Sequence, residues 1–109
     1  MFVYGVFQDG ALKGFASVEG TLIGKKKEYA DLTSIHISKE LRGQGAGSEL
    51  FQLAANWAKE HGAKKLYISA HSAVETQAFY CRLGCIKAQE ISKEHIEREP
   101  YDVQLEYLL

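Results

Sequence analysis

The residues best suited to chemistry lie in a glycine-rich segment, where a strand-like run over residues 35–38 leads through a turn directly into a helix. Gly43, Gly45 and Gly47 alternate through this turn. Glycine adopts positive φ readily and has no Cβ, so successive backbone N–H groups can converge on an anion at the start of the following helix. Because a helix N-terminus favours negative charge, the segment predicts a site for a phosphate or pyrophosphate.

The spacing of these glycines distinguishes between phosphate-binding families. A Walker loop requires Lys-Ser or Lys-Thr after its last glycine, and that pair is absent here. A Rossmann fingerprint requires G-x-G-x-x-G, and neither glycine pair has a third glycine at that distance. The remaining pattern, Arg42-x-x-Gly45-x-Gly47, resembles the Arg/Gln-x-x-Gly-x-Gly/Ala acyl-CoA loop of the GNAT superfamily of N-acetyltransferases, which follows the fourth strand of that fold.

A second segment, over residues 72–85, resembles the GNAT helix that ends in Phe-Tyr-x-x-x-Gly-Phe. Here Phe79 and Tyr80 are followed at the same spacing by Gly84, and Cys85 replaces the final aromatic residue. The two segments occur in the family's order and are separated by a helix and a strand of suitable length. The chain is therefore identified as similar to GNAT acetyltransferases.

Composition agrees with one soluble globular domain over residues 1–109, with 46% hydrophobic and 25% charged residues. The formal net charge of −1 gives no electrostatic reason to expect nucleic acid as a partner. The first residues mix charges with short apolar runs, so we expect no signal peptide, no membrane partner and a cytoplasmic location. The only cysteines, Cys81 and Cys85, are expected to be reduced and buried, and no metal site is predicted.

Apolar periodicity and turn residues predict an order of three strands, helix, strand, helix and two strands. Asp9-Gly10 predicts a hairpin, and Ser72 with Glu75 predicts a capping box at the start of the second helix. The predicted strands cover residues 2–8, 12–18, 30–38, 65–70, 85–89 and 103–108, with residues 21–23 prolonging the second. The predicted helices run from Gly45 to the glycine at position 62 and from Ser72 to the glycine at position 84, and a charged connection ends at position 100.

This order corresponds to the GNAT fold from its second strand onward. The resemblance therefore implies an α+β (α/β) fold, a mixed and mostly antiparallel twisted sheet of about six strands with two main helices packed on it. Because Phe2 would already lie in the family's second strand, the family's first strand and first two helices are expected to have no counterpart. Those elements form one side of the acceptor site in the family.

The resemblance also implies a set of acetyl-CoA contacts. The pantetheine arm would pair with the exposed edge of the third strand where that strand diverges from the 65–70 strand, and the N–H of Ile37 would polarise the thioester carbonyl. The loop and the start of the first helix would bind the pyrophosphate, and the start of the second helix would contact CoA. The implied cofactor-binding residues are Ile35, His36, Ile37, Arg42, Gly43, Gln44, Gly45, Ala46, Gly47, Ser48, Thr76 and Phe79.

Two residues occupy positions with catalytic roles in the family. Tyr80 corresponds to the tyrosine that hydrogen-bonds the CoA sulfur and acts as general acid, and a phenol with an ordinary pKa of about 10 is protonated at neutral pH. Asp31, six residues before Ile37, lies where several members place a residue that removes the amine proton. The alternatives are a core aromatic role for Tyr80 and a solvated carboxylate for Asp31, with Glu28 or His36 as the base.

The predicted function is transfer of an acetyl group from acetyl-CoA to a primary amine of a small molecule or peptide, by direct attack without a covalent enzyme intermediate. The alternative is a non-catalytic CoA-binding or assembly module. The strand over residues 2–8 would expose an apolar edge, and such an edge recruits partners. We therefore predict a twofold homodimer.

Overall fold

The computed structural model describes residues 1–43 and 45–109. In these residues the elements are β1 (Phe2–Gln8), β2 (Ala11–Val18), β3 (Tyr29–Ile37), α1 (Ala46–Glu60), β4 (Lys65–Ala70), α2 (Val74–Leu83), β5 (Ile86–Lys87), α3 (Lys93–Arg98) and β6 (Val103–Leu108). A single 3-10 turn, Lys39–Leu41, follows β3 in the connection to α1. The strands form one sheet in the order β1-β2-β3-β4-β6-β5, in which β3 and β4 are parallel and the other neighbours antiparallel. The predicted mixed, mostly antiparallel sheet is confirmed.

The hairpin predicted at Asp9-Gly10 joins β1 to β2. Asp9 and Gly10 both have positive φ, 53° and 78°, and Gln8 pairs directly with Ala11. Two central residues with positive φ form a type I′ turn, whose twist matches that of the flanking strands. The turn therefore fixes the residue pairs next to it, and beyond Phe7 the register shifts because Lys13 is an extra residue on β2.

The apolar core lies on the face of the sheet covered by α1 and α2. From α1 it receives Leu50, Phe51, Ala54, Ala55 and Ala58, and from the sheet Ala16, Val18, Ala30, Leu32, Leu66, Ile68, Ala70 and Leu105. Phe51 is fully buried and its ring centroid is 6.3 Å from that of Tyr80. Burying one such side chain contributes about 1.5–3 kcal/mol. Phe51 thus attaches both helices to the same face.

Over β3, β4 and β6, the opposite face of the sheet is polar and carries α3. Glu106, only 1% exposed, accepts a hydrogen bond of 2.7 Å from the Tyr29 hydroxyl and lies 3.6 Å from Lys65 Nζ. Burial alone would raise the pKa of Glu106, but hydrogen bonds from the Gln89 N–H and Tyr29, with the charge of Lys65, hold it below the ordinary value. This face therefore holds a buried charge that is fully compensated.

Strand β3 departs from β4 partway along its length. Only Tyr29–Asp31 pairs with Lys65–Tyr67. Just beyond, Ser17 of β2 is opposite Ser34 while Val18 is opposite Leu32, so Thr33 is an extra residue on β3. Such a β-bulge bends its strand and increases the local twist. The bulge thus lies where β3 separates from β4 and opens a gap between them.

Some sequence predictions of local structure were wrong. Residues 21–23 do not prolong β2, since Ile23 forms only an isolated bridge to Tyr29. The predicted strand over residues 85–89 is reduced to Ile86–Lys87, because the Cys85 N–H is bonded back to the Tyr80 carbonyl at the end of α2. The charged connection contains the unpredicted helix α3, capped by Ser92.

The predicted capping box at Ser72 was also wrong. Helix α2 has Ala73 at its N-cap, without a side-chain cap, so Ser72 lies one residue too early. The turn is held instead by Gln77, whose amide donates to the His71 carbonyl at 2.7 Å, and by the Ala73 N–H, which donates to His71 Nδ1 at 3.0 Å.

Within the described residues no helix is long and apolar enough to cross a bilayer.

Candidate functional site

The glycine loop has the open backbone that an anion site requires. Gly43 and Gly45 have φ of 82° and 83°, and a Cβ built on either would meet no atom within 4 Å. Gly45 is the N-cap of α1, so the free N–H groups of the first helical turn face the same region. The loop therefore fits a phosphate group. Gln44, predicted to take part, lies outside the described residues.

The third glycine has a different role from the one predicted. Gly47 lies within α1 and does not have positive φ. A Cβ at this position would lie 3.0 Å from the Phe79 ring. Gly47 therefore lets α1 and α2 approach closely, and among the described residues of the turn positive φ occurs at Gly43 and Gly45.

The edge of β3 that faces the gap carries free backbone groups. The Ser38 N–H donates to the Lys13 carbonyl at 2.8 Å, so it points towards β2. Because alternate residues of a strand point their N–H groups the same way, those of Ile35 and Ile37 point towards the gap. In agreement, Arg42 Nε reaches the Ile37 carbonyl from that side at 3.2 Å. An extended chain could pair with this edge.

A cleft of about 530 Å³ lies between the end of β3, the start of α1 and one face of α2. It is lined by Ile35, His36, Ile37, Leu41, Arg42, Gly43, Gly45, Gly47, Ser48, Glu75, Thr76, Phe79, Tyr80 and Arg82. The structure thus brings together most of the cofactor-binding residues predicted from the sequence. Ala46 is half-buried at the first position of α1 and is not among the lining residues.

Sequence reasoning missed Leu41, Glu75 and Arg82 as lining residues. Glu75, Phe79 and Arg82 lie four and three residues apart on α2, and this spacing puts side chains on one helix face. The prediction used Phe79 from this face, but it treated Glu75 as a capping residue. The helical spacing of Glu75, Phe79 and Arg82 was therefore the signal that could have identified the two missed residues of α2. Arg82 adds a second cation to the cleft beside Arg42.

Tyr80 has a buried ring and lines the cleft, with 6% of its surface exposed. Burial is the main cause that raises the pKa of Tyr80 to about 12, and the negative charge of Asp102 adds to it. Its hydroxyl makes no hydrogen bond to any residue in the described part of the chain. Tyr80 therefore presents a protonated phenol that can donate to a ligand in the cleft.

Asp31 does not line the cleft. It lies on the polar face of the sheet, at the last residue pair between β3 and β4. Its Oδ2 is 2.8 Å from His95 Nε2, and His95 Nδ1 is 2.6 Å from Ser92 Oγ. His95 and Ser92 were not predicted as site residues. The role of Asp31 as the base stays a prediction.

An open strand edge below a glycine loop, with a tyrosine opposite, defines a cleft suited to an acyl carrier with a phosphate group. The chain matches the model of the Acetyltransferase (GNAT) family over residues 1–85, and it belongs to that family. It is 31% identical over 67 residues to the uncharacterized N-acetyltransferase YobR of Bacillus subtilis (strain 168). That match covers 62% of this chain and 26% of YobR.

Solved structures share the fold. N-acetylglutamate synthase from Neisseria gonorrhoeae, complexed with coenzyme A and N-acetyl-glutamate, matches with a TM-score of 0.79 and 16% identity over 98% of this chain and 25% of that chain. The PaiA N-acetyltransferase from Thermoplasma acidophilum, in complex with coenzyme A, matches with a TM-score of 0.75 and 19% identity over 98% of this chain and 60% of that chain. The chain thus spans between a quarter and three fifths of the length of these relatives.

Proposed function

We propose that this chain binds acetyl-CoA in the cleft and transfers the acetyl group to a primary amine of a small molecule or peptide by direct attack. The observation that supports this most strongly is the free edge of β3 between the glycine loop and Tyr80. Membership of the GNAT family and the presence of coenzyme A in the two structural relatives support the choice of acyl donor.

Each part of the cleft has a task in this reaction. The N–H groups of the loop, with Arg42, bind the pyrophosphate, and the N–H of Ile35 orients the pantetheine arm. The N–H of Ile37 polarises the thioester carbonyl, which stabilises negative charge on oxygen as the amine nitrogen attacks carbon. The C–S bond then breaks, and the Tyr80 hydroxyl donates a hydrogen bond to the departing sulfur. No side chain forms a covalent intermediate.

Binding is tested by placing a negative charge where the pyrophosphate is proposed to bind. Ser48 is exposed in the first turn of α1, where the negative charge of a glutamate interacts favourably with the helix dipole. Ser48→Glu also leaves both positive-φ glycines in place. We expect a loss of CoA affinity of about 10-fold or more, because like charges about 4 Å apart repel by about 1–4 kcal/mol near a protein surface. Isothermal titration calorimetry with CoA measures the affinity of both proteins.

The matched control is Asn56→Glu, which adds the same charge at an exposed position on α1, two turns further along the helix. It should leave the affinity within about twofold of the wild type, because a charge that far away is screened. Equal CoA affinity in Ser48→Glu and in the wild type would refute the assignment of the loop.

Catalysis is tested by following thiol release from acetyl-CoA with a panel of small primary amines. Amine-dependent release supports the transferase. CoA binding without release for any amine would favour the alternative function, a non-catalytic CoA-binding module.

We also propose that the protein works as a homodimer in the cytoplasm. Val3, Phe7 and Leu12 are 61%, 68% and 54% exposed on the β1–β2 hairpin, an area that a second copy could cover. Cys81 and Cys85 are free thiols, which supports a reducing compartment. Cys85 is buried, but the prediction that Cys81 is buried was wrong, since it is exposed.

A further inference from the structure

The Arg42 side chain makes a contact in the cleft that binding of a pyrophosphate does not explain. Its Nε–H donates to the Ile37 carbonyl at 3.2 Å, within the ordinary range for such a hydrogen bond. Arg42 is exposed and lines the cleft. A guanidinium has further N–H donors on its two Nη atoms, and these remain available to a ligand together with the positive charge. Arg42 can therefore hold the backbone and a ligand at the same time.

The Ile37 carbonyl lies on a strand edge that has no neighbouring strand. The N–H and the C=O of one strand residue point to the same side, so both groups of Ile37 face the gap. Strand β4 pairs with β3 only as far as Asp31, and beyond it no described strand pairs with this edge. Arg42 thus supplies to Ile37 the hydrogen bond that a neighbouring strand supplies elsewhere in the sheet.

The direction of the Ile37 N–H matters to the proposed reaction. This N–H is proposed to polarise the thioester carbonyl, and such a donor is effective when it lies about 2.7–3.1 Å from the oxyanion that develops. The N–H and the carbonyl of Ile37 are joined through one Cα, with only φ and ψ free to rotate between their peptide planes. A hydrogen bond that holds the carbonyl therefore restricts where the N–H points.

We infer that Arg42 is a positioning residue of the proposed acetyl transfer, in which its Nε–H orients Ile37 through the Ile37 carbonyl while its charge binds the pyrophosphate. The inference rests on the proposed function. It goes beyond the assignment of Arg42 to the pyrophosphate, because it gives two parts of one side chain different effects. Loss of the charge affects binding of CoA, and loss of the Nε–H affects the chemical step.

Three substitutions separate these effects, because the new side chains have nearly the length of arginine. In glutamine the amide nitrogen occupies the position of arginine Nε, so Arg42→Gln keeps the donor and removes the charge. In lysine that position is a carbon and the charge lies one atom further out, so Arg42→Lys keeps the charge and removes the donor. Arg42→Met removes both. Because Arg42 is exposed, we expect all three variants to fold, and circular dichroism checks this.

The affinity for CoA reports the charge. Arg42→Gln and Arg42→Met should each bind CoA about 10-fold more weakly than the wild type, because they lose a cation that faces the pyrophosphate. Arg42→Lys should stay within about threefold of the wild type, since lysine also binds phosphate as a point charge. Isothermal titration calorimetry compares the four proteins.

The value of kcat reports the donor. It is measured at saturating acetyl-CoA, with the amine of the panel that gives the fastest thiol release in the wild type. Arg42→Lys and Arg42→Met should lower kcat by about 10- to 10²-fold, because displacement of a reacting group by about 1 Å can cost 10²-fold. Arg42→Gln should recover kcat to within about threefold of the wild type, although its KM for acetyl-CoA rises. Affinity and kcat therefore rank the variants differently, which a general loss of stability would not do.

Lys39→Met is the matched control for kcat. Lys39 is an exposed cation in the 3-10 turn between β3 and the glycine loop, so this change removes the same charge from the same connection. It leaves the hydrogen bond from Arg42 to Ile37 in place. We expect the kcat of Lys39→Met to equal that of the wild type.

The contact can also be checked without substrate. The arginines of the chain are Arg42, Arg82 and Arg98. Arg82 makes no hydrogen bond within the described part of the chain. The Nε–H of Arg42 should therefore exchange with solvent more slowly than that of Arg82, and NMR of the free protein measures both rates. Equal rates would refute the contact on which the inference depends.

Failure of the proposed function would look different from failure of the inference. If the wild-type chain transfers no acetyl group to any amine of the panel, the transferase proposal fails and the inference fails with it. If the wild type transfers acetyl and Arg42→Lys keeps the wild-type kcat, the Nε–H has no positioning role. The same conclusion follows if Arg42→Gln loses as much kcat as Arg42→Met. In both of these cases the transferase proposal stands and only the inference is overturned.

Discussion

At the scale of single residues, the environment of Tyr80 limits what its hydroxyl can do. The pKa of about 12 lies about 3.5 above that of an ordinary thiol, about 8.5. Complete proton transfer from this phenol to a thiolate is therefore unfavourable by about 5 kcal/mol. A hydrogen bond to the sulfur carries no such penalty. In the proposed reaction Tyr80 would therefore serve as a donor to the departing thiolate, and the final proton would come from solvent.

Substitution of Tyr80 by phenylalanine removes the hydrogen-bond donor to the departing sulfur. Tyr80→Phe should lower kcat by about 10²-fold, the scale for loss of one preorganised donor, while CoA affinity and the melting temperature stay unchanged because the buried ring remains. Because the pKa of Tyr80 is raised, the phenol stays protonated below about pH 12, so the wild-type rate should show no alkaline loss from this group.

Steady-state kinetics and calorimetry on the same preparation check this expectation. Wild-type kcat in Tyr80→Phe would leave the residue only a packing role. A loss of CoA binding would instead make it a binding residue.

Most residues of the cleft could be predicted because local patterns in the sequence specify them. Glycines at fixed spacing and the Phe79-Tyr80 pair are visible within a few positions of the sequence. The contact between Asp31 and His95 joins residues 64 positions apart, and it depends on a helix whose existence the charged composition of residues 93–98 concealed. Nothing local to Asp31 indicates its partner.

At the scale of elements, two serines show how a helix start is specified. Ser72-x-x-Glu75 has the pattern of a capping box, yet α2 begins after Ala73. Ser92 is a true N-cap, with its Oγ 3.4 Å from the His95 N–H. Ile91 and Ile96 stand at the positions of a hydrophobic staple around it. That pair was the signal for α3 that the sequence analysis left unused.

The two serines should respond differently to the same change. Ser92→Ala should lower the free energy of unfolding by about 0.5–2 kcal/mol, because it removes a side-chain cap. Ser72→Ala should change it by less than about 0.5 kcal/mol, since Ser72 is exposed and outside the helix. Urea denaturation followed by circular dichroism measures both. An equal loss in the two variants would contradict the assigned N-caps.

At the scale of the whole molecule, the order of elements was predictable and the two faces of the sheet were not. Alternating apolar residues predicted the strands, and Asp9-Gly10 predicted the turn that joins β1 to β2. The hydrogen bonds of Tyr29 to Glu106 and of Tyr67 to Gln104 form only when β3, β4 and β6 are placed side by side, which no single segment of the sequence encodes. The bulge at Thr33 has the same origin.

The outer face of the β1–β2 hairpin is where the proposed dimer is tested. Phe2 packs on Trp57 of α1, with ring centroids 5.5 Å apart, so the alternate residues Val3 and Phe7 point away from the core. If a second copy covers them, the wild type should sediment as a dimer at micromolar concentration. Val3→Lys and Phe7→Lys should each give a monomer, because a lysine would have to be buried in the interface.

Ile86→Lys is the matched control, since Ile86 is 49% exposed on β5 at the opposite edge of the sheet. It should leave the sedimentation coefficient unchanged. A wild-type chain that sediments as a monomer and melts cooperatively would rule out the dimer.

Strands β3 and β4 pair over only a short length, so the amide groups of β3 beyond this pairing can report whether the cleft is occupied. Only three residue pairs connect the two halves of the sheet, and beyond Asp31 no described strand pairs with that edge of β3. The amide hydrogens of Ile35 and Ile37 should therefore exchange quickly with deuterated solvent, although both residues lie within the sheet. A pantetheine arm bound along this edge of β3 would slow amide exchange only at alternate residues of the strand. Deuterium uptake at two amides thus records occupancy of the cleft before any acceptor is known.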